Sequence, residues 1–403
     1  MIKLDFHPAG RHFLQIPGPS PVPDRILRAM SYPTIDHRGP EFGALGLKVI
    51  EGIKQIFKTR QPVVIYPASG TGAWEAALTN TLSPGDAVLM FETGHFASLW
   101  KKMADRLGLK PEFLGLPGIE GWRGGVDAGM IEEHLRADKD HAIKAILGVQ
   151  VDTASGVIND IEAIGNAIKA AGHPTLFMVD AVASLGCMPF EMDAWGIDVA
   201  MSGSQKGLMS PPGLGFVAAN DRAREVHKTA GLRTPYWDWT EREGVEHYRK
   251  YSGTAPVHLL FALRQAIDML FDEGLDNVFL RHRLLAEVVR RAVAVWAEGQ
   301  ALGFNIAEPE QRSDTVTTVM MSNGYDPVAL HRYCKEKCGV VLGVGIGELA
   351  GRAFRIAHMG HVNAPMILGT LGVVEVGLHA LDIPHGKGGL EAAVAWLGES
   401  VHA

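Results

Sequence analysis

Cysteine is scarce in this chain of 403 residues, and Cys187, Cys334 and Cys338 are its three thiols. Three cysteines cannot form a complete disulfide framework. No cluster of His or Cys accompanies the pair at 334 and 338, so we expect neither a disulfide scaffold nor a metal site. Structural disulfides are typical of secreted proteins. The scarcity of cysteine therefore favours the reducing cytoplasm as the compartment.

Long runs of one chemical character are also missing. No run of Lys or Arg exceeds two residues and the net charge is −7, so nothing indicates a nucleic-acid-binding surface. The N-terminal segment has no apolar core of the signal-peptide type. The longest uncharged stretch near the C-terminus, Ile356 to Val374, carries His358 and His361, which are costly in lipid. We expect a protein that neither binds nucleic acid nor crosses a membrane.

Short β-branched runs alternate with amphipathic stretches along the earlier part of the chain. This alternation predicts an α/β domain with a mostly parallel central sheet. From about Asp276 an Arg-rich helical segment leads into further strands, which indicates a smaller α+β domain. We therefore expect an N-terminal arm at 1–20, a large domain at 21–275 and a small C-terminal domain at 276–403.

A glycine- and hydroxyl-rich segment, Ser69-Gly70-Thr71-Gly72, follows the predicted strand Pro62–Tyr66 and precedes helix-forming residues. Glycines let the backbone approach an anion closely, and a helix N-terminus offers free N–H groups. The segment is therefore a candidate phosphate site, although a simple helix cap explains the same pattern. It matches neither the P-loop nor the dinucleotide-binding fingerprint.

Two charged residues stand in unusual surroundings. Asp180 ends an apolar strand-like run, which is where α/β sheets bind ligands, and the alternative is a structural carboxylate. Lys206 follows 26 residues later within Ser202-Gly203-Ser204-Gln205-Lys206-Gly207, between two short apolar runs. Burial lowers the pKa of an amine and makes it a nucleophile, and the alternative is an ordinary loop lysine.

The order and spacing of these three segments resemble the class V aminotransferases of pyridoxal 5′-phosphate (PLP) fold type I, and among them the serine–glyoxylate and alanine–glyoxylate aminotransferases. The resemblance runs from about residue 13 to about residue 380. Further matching segments are Ile16-Pro17-Gly18-Pro19, Ile35-Asp36-His37-Arg38, Leu82-Ser83-Pro84-Gly85-Asp86, Thr254-Ala255-Pro256 and Phe354-Arg355-Ile356-Ala357-His358-Met359-Gly360.

The resemblance implies PLP as the cofactor and assigns a role to each catalytic residue. Lys206 would carry the cofactor as a Schiff base and then move a proton. Asp180 would pair with the pyridinium nitrogen and keep it protonated, so that the ring accepts electrons. Arg355 would bind the substrate carboxylate with its planar guanidinium, the alternative for this residue being a structural ion pair.

The resemblance also implies a set of cofactor contacts. Phe96 would stack on the cofactor ring, with core packing as the alternative, and Thr153 would contact the ring's 3′-oxygen. Tyr251 and Thr254 would reach the phosphate of the neighbouring subunit, which makes the active site a property of a homodimer. The implied phosphate contacts within one chain are Ser69, Gly70, Thr71 and Gln205.

The implied reaction is a ping-pong transfer of the amino group of L-serine to glyoxylate, with alanine or aspartate as the alternative donor. The segment 237–251 looks individual to this chain and is a candidate determinant of substrate choice. Three more distant alternatives are a pyridoxamine–pyruvate aminotransferase, a PLP lyase or cysteine desulfurase, and a phosphate- or sugar-nucleotide-binding protein without catalytic activity. A desulfurase requires a mobile cysteine near the cofactor.

Overall fold

The computed structural model of the protein describes residues 13–322 and 324–401. Residues 1–12 of the predicted arm therefore lie outside the described residues. Strands in the described ranges are β1 (Phe13–Gln15), β2 (Val63–Ala68), β3 (Ala87–Phe91), β4 (Lys110–Leu114), β5 (Ile143–Val149), β6 (Val151–Asp152), β7 (Val157–Ile158), β8 (Leu176–Asp180), β9 (Val199–Gly203), β10 (Gly213–Ala219), β11 (Leu302–Phe304), β12 (Val316–Met321), β13 (Val340–Val344) and β14 (Ala353–Ala357).

Helices surround these strands and connect them. The α-helices of the described ranges are α1 (Asp24–Met30), α2 (Pro40–Phe57), α3 (Gly70–Thr81), α4 (His95–Arg106), α5 (Ala128–Ala137), α6 (Ile161–Ala171), α7 (Asp221–His227), α8 (Val257–Glu273), α9 (Leu275–Ala297), α10 (Pro327–Cys338), α11 (Ala364–Ala380) and α12 (Gly389–Val401). No helix in the described ranges is both long and apolar enough to span a bilayer.

The large sheet has seven strands in the order β2-β10-β9-β8-β5-β3-β4. Every neighbouring pair is parallel except the two that involve β10, which runs antiparallel to both β9 and β2. The prediction of a mostly parallel α/β sheet is therefore confirmed. Because the carboxyl ends of parallel strands meet at one edge, the residues that follow β2, β8 and β9 come together.

Helices cover both faces of this sheet, which explains why its central strands are continuously apolar. Successive side chains of β8 point to opposite faces. Phe177 and Val179 pack into one core with α2 and α8, whereas Leu176 and Met178 pack into the other with α3 and α4. Asp180 ends this buried strand and is itself 4% exposed, so its charge needs polar partners.

A second sheet has the order β1-β13-β14-β12-β11. Helices α9 to α12 pack on it around a separate core. The described part of the predicted arm contributes β1, which pairs in parallel with β13. We propose that α9, which begins at Leu275, marks the boundary between the large domain and the small domain, close to the boundary expected at 275.

Candidate active site

A cavity of about 260 Å³ lies at the carboxyl edge of the large sheet. Its wall brings together eight of the residues singled out in the sequence, although up to 137 positions separate them. These residues are Ser69, Gly70, Thr71, Phe96, Thr153, Asp180, Gln205 and Lys206. The strand ends described above therefore build one site.

Lys206 is held in the loop between β9 and β10 by the segment that follows β1. Its Nζ donates a hydrogen bond to the Pro17 carbonyl, and Ser20 Oγ donates to the Lys206 carbonyl at 2.7 Å. Gly18 has a φ of +104°, and a Cβ there would come within 2.6 Å of the lysine side chain. Glycine is therefore required for this close approach. The motif Ile16-Pro17-Gly18-Pro19 did not by itself indicate this contact with Lys206.

The amine of Lys206 is buried in the cavity wall rather than exposed to solvent. The residue is 8% exposed, and its Nζ lies 5.7 Å from the centre of the Phe96 ring. Burial, and next the positive charge of Arg355, lower its pKa to about 8. A larger share of the amine is therefore neutral and nucleophilic at neutral pH. The alternative of an ordinary solvated lysine does not fit this environment.

Asp180 faces the same cavity and makes no ion pair with another side chain of the described residues. The Val182 N–H donates to its Oδ1 at 2.6 Å, and Trp74 Nε1 donates to its Oδ2 at 3.1 Å. Burial raises its pKa to about 7, against the lowering effect of these two bonds. A cationic N–H from a ligand would stabilise the ionised carboxylate at this position.

The Ser69–Gly72 segment forms the other end of the cavity. Helix α3 begins at Gly70, three residues before Ala73, where the helix-forming residues of the sequence begin. The hydroxyl of Ser69 makes no capping bond. The N–H groups of a first helical turn have no partner within the helix. Gln205 also lines this cavity, and the N–H₂ group of its side-chain amide is a donor. This end therefore offers N–H and hydroxyl donors to an anion.

Asp152 connects two segments of the cavity wall, and sequence reasoning gave it no role. Its Oδ2 accepts from the N–H groups of Phe96 and Ala97, at 2.7 and 3.2 Å, at the start of α4. Its Oδ1 accepts from the Ala154 N–H at 2.9 Å. Asp152 thus joins the helix that carries Phe96 to the turn that carries Thr153, whose Oγ1 is buried and unpartnered in the described residues. Asp152 precedes Thr153 in no recognisable motif, so the sequence did not predict this contact.

Arg355 lies in a second cavity of about 340 Å³ that shares Gly18, Phe96, Thr153 and Lys206 with the first. It stands on β14, opposite Gly343 and Thr318 in the second sheet. Its Nε donates to the Val344 carbonyl and one terminal nitrogen to the Thr153 carbonyl, both at 2.8 Å. Burial lowers its pKa to about 10. No carboxylate bonds this guanidinium in the described residues, so the alternative of a structural ion pair does not fit.

Tyr251 and Thr254 lie outside both cavities of their own chain. Tyr251 is fully buried, and its hydroxyl is 2.8 Å from His247 Nε2. Thr254 is exposed. The predicted contact of both residues with the phosphate of a neighbouring subunit stays a prediction. The residues of 237–251 do not line either cavity, and the predicted influence of this segment on substrate choice also stays a prediction.

The residues of the first cavity fit PLP. The unpartnered hydroxyl of Thr153, the donor-rich start of α3 and the buried carboxylate of Asp180 suit a 3′-oxygen, a phosphate and a pyridinium nitrogen, in that order. The Lys206 amine would serve for covalent attachment. The fold and the site together define a PLP-dependent enzyme of fold type I.

Comparison with known proteins identifies the family. The chain matches the model described as Aminotransferase class-V over residues 13–353. It is 40% identical over 399 residues to serine–glyoxylate aminotransferase of Methylorubrum extorquens, covering 97% of each chain. It is also 40% identical over 370 residues to L-aspartate–glyoxylate aminotransferase of Paracoccus denitrificans, covering 92% of this chain and 91% of that one.

A solved structure agrees with the sequence relatives. Ureidoglycine–glyoxylate aminotransferase of Bacillus subtilis superimposes with a TM-score of 0.86 at 26% identity, covering 98% of this chain and 100% of that chain. The chain therefore belongs to the class V aminotransferase family and is a PLP-dependent aminotransferase. The resemblance to the class V aminotransferases is therefore confirmed. The alternative hypothesis of a phosphate- or sugar-nucleotide-binding protein without catalytic activity is wrong.

The lowered pKa of Lys206 gives a pH prediction. At pH 7 an amine with a pKa of about 8 is roughly one-tenth neutral, against roughly three in ten thousand at the ordinary value of 10.5. Only the neutral amine attacks an aldehyde, so the rate at which apoprotein takes up PLP should rise about tenfold per pH unit up to pH 8 and then level off. Stopped-flow absorbance measures this rate. A rise that continues to pH 10 would contradict the assignment.

Asp152→Asn is expected to weaken the start of α4. The carboxylate accepts with both oxygens, whereas an amide has one acceptor oxygen, so either the Phe96 and Ala97 N–H groups or the Ala154 N–H group loses its partner. We expect a loss of about 1 kcal/mol in stability, the scale of one hydrogen bond, and weaker PLP binding. Asp160→Asn is a matched control, because Asp160 caps α6 through Ala163 away from the cavity. Thermal unfolding and PLP titration measure both effects. Equal PLP affinity in the two variants would contradict the role of Asp152.

Proposed function

We propose that this aminotransferase transfers the amino group of L-serine to glyoxylate, forming hydroxypyruvate and glycine. The observation that carries the proposal is the chemistry of the second cavity. Arg355 and Lys206 are the charged residues of its wall, His331 is a further polar group, and the remainder is mainly apolar. Two of the relatives that are 40% identical to the chain are named as serine– and aspartate–glyoxylate aminotransferases.

The cavity favours serine over the alternative donors. Arg355 accounts for the α-carboxylate, and no second guanidinium lines the described wall to balance the side-chain carboxylate of aspartate. His331 Nδ1 is 2.9 Å from the Leu342 carbonyl. Since a carbonyl only accepts, Nδ1 donates to it, and Nε2 is left for a second hydrogen bond. We propose that this nitrogen bonds the hydroxyl of serine, for which alanine has no counterpart.

Each residue has a defined task in the proposed reaction. PLP, when bound, supplies a ring that delocalises the electrons left at the substrate Cα. Arg355 binds the carboxylate and orients the Cα–H bond. The Lys206 amine takes the proton from Cα, and Asp180 holds the proton at the ring nitrogen. Phe96 would stack on the ring and Thr153 would contact its 3′-oxygen. The same residues serve glyoxylate after hydroxypyruvate has left, which gives ping-pong kinetics.

The experiment follows the absorbance of the bound cofactor in purified protein. Each amino acid is added alone, and serine is expected to bleach the absorbance faster than alanine or aspartate; glyoxylate should then restore it better than pyruvate. A His331→Leu variant is expected to lose several-fold in kcat/KM for serine, about the value of one hydrogen bond, and to keep its rate with alanine. Faster bleaching by aspartate than by serine would overturn the choice of donor.

We also propose a homodimer whose partner supplies Tyr251 and Thr254. The exposed position of Thr254 and the family membership support it. Sedimentation should give a dimer. Mixing Lys206→Ala with Thr254→Ala protein should then raise activity above that of either variant, because a hybrid dimer has one intact site. Additive activity with no gain would contradict a shared site. The cytoplasmic location expected from the cysteine content stays a prediction.

The remaining alternatives fit the site less well. Cys187 and Cys334 are buried, and neither they nor Cys338 line the two cavities. Burial raises the pKa of Cys187 to about 12, which disfavours the thiolate that a desulfurase needs. A pyridoxamine–pyruvate enzyme uses free pyridoxal and requires a second carboxylate-binding arginine, where this cavity has Ile346. The donor-rich start of α3 instead suits a phosphorylated cofactor.

A further inference from the structure

We propose that Trp74 is a positioning residue for the cofactor: its indole N–H fixes the Asp180 carboxylate and shares its negative charge, which keeps the ionised carboxylate paired with a protonated ring nitrogen. The proposal rests on the role proposed above for Asp180. Nothing in the sequence links the two residues, which stand 106 positions apart. Trp74 lines the cavity and is 3% exposed.

The geometry around Asp180 assigns one donor to each carboxylate oxygen. The Val182 N–H donates to Oδ1 at 2.6 Å, and the Trp74 indole N–H donates to Oδ2 at 3.1 Å. The first donor is a backbone N–H two residues away, so it stabilises the local turn and has no separate role in the cavity. The second belongs to a side chain on α3, and it sets the rotation of the carboxylate relative to the cavity.

The indole of Trp74 is itself held firmly. It stacks on Trp100, with ring centres 5.7 Å apart and planes 18° apart, and meets the edge of Phe96 at 6.4 Å. Trp74 lies in the first turns of α3, the helix whose start forms the phosphate end of the cavity. One helix therefore positions the phosphate donors and the N–H that orients the carboxylate, with Phe96 beside it.

The chemical consequence concerns where one proton resides. A donor to Oδ2 stabilises the carboxylate and disfavours the carboxylic acid. Without that donor the buried Asp180 is a stronger base, so the proton shared with the ring nitrogen moves toward the carboxylate. A neutral ring nitrogen withdraws electrons poorly from the substrate Cα. Trp74 thereby supports both retention of the cofactor and its capacity to accept electrons.

Trp74→Phe tests the proposal because it removes the N–H and keeps an aromatic ring. Trp100→Phe is the matched control: Trp100 belongs to the same stack and is fully buried, and its Nε1 has no partner in the described residues. We expect the dissociation constant of PLP to rise about tenfold in Trp74→Phe, the scale of one hydrogen bond to a charged group, and less than about twofold in Trp100→Phe.

A spectroscopic readout separates protonation from packing. With PLP labelled by ¹⁵N at the ring, the signal of Trp74→Phe should move toward that of a neutral pyridine, whereas the Trp100→Phe signal should stay at the wild-type position. Equal changes in both variants, or an unchanged Trp74→Phe, would overturn the proposal. If Trp74→Phe does not fold, ¹⁵N-indole labelling of wild-type protein replaces the variant. If PLP is then added to apoprotein and no indole signal moves, the proposal is also overturned.

The same preparations distinguish this inference from the proposed function. Wild-type protein that transfers the amino group of serine, together with an unaffected Trp74→Phe protein, contradicts only the role of Trp74. Wild-type protein that binds PLP but fails to transaminate serine contradicts the donor assignment, while a tenfold loss of PLP affinity in Trp74→Phe still supports the role of the indole.

Discussion

Replacing Lys206 with alanine is expected to lower kcat for amino transfer by about 10³- to 10⁴-fold, the scale of losing a positioned acid–base group. In the proposed reaction the amine is the nucleophile that attaches the cofactor and the base that moves the Cα proton, and no other lysine lines either cavity in the described residues. PLP should still bind through the start of α3, Gln205 and Asp180, but it should be removed by dialysis and should not be trapped by borohydride.

Two controls make the Lys206 prediction specific. Lys228→Ala removes a surface lysine that pairs with Glu225 and whose side chain is 67% exposed, and it should leave activity unchanged. Added methylamine should restore part of the lost activity to Lys206→Ala, because a small amine can occupy the vacated volume beside Pro17. Full amino transfer by Lys206→Ala without any added amine would refute the assignment of the nucleophile.

Arg355→Gln should lower kcat/KM for serine by about 100-fold, the scale of losing two charge-assisted hydrogen bonds to the substrate carboxylate. Arg355→Lys should recover little, because an ammonium group cannot form the same planar pair of bonds. The loss should appear mainly in KM, since the role proposed for Arg355 is to bind the substrate, and its side chain does not line the first cavity.

The cofactor provides the internal control for Arg355. Its dissociation constant and absorbance should stay at wild-type values in Arg355→Gln, even though the guanidinium also bonds the Thr153 carbonyl. Steady-state kinetics and a PLP titration on the same preparation measure both quantities. Unchanged kcat/KM, or a cofactor affinity that falls as much as kcat/KM, would contradict a role confined to the substrate.

Much of the site was predictable because its residues lie in short motifs at strand ends. The apolar runs around Asp180 and Lys206 identify β8, β9 and β10, and the parallel sheet then brings their ends together. The cavity accordingly contains Ser69 and Gln205 as expected. What could not be predicted depends on contacts between distant segments, such as the bond from Lys206 to Pro17 across 189 positions.

Two residues escaped sequence reasoning for a physical reason. Asp152 and Trp74 bond to another group of the site, Phe96 in one case and Asp180 in the other, so neither carries a motif of its own. Tyr251 does lie in a motif, and its contact with a neighbouring subunit stays a prediction; within one chain its hydroxyl pairs with His247.

The position of β1 links the two halves of the site mechanically. This strand pairs with β13, the neighbour of the β14 strand that carries Arg355, and the chain leaving β1 supplies the Pro17 carbonyl that receives the Lys206 amine. A rigid shift of the small sheet would therefore move Arg355 and the Pro17 carbonyl together. Capture of a substrate and release of the lysine for attack would be two results of a single displacement.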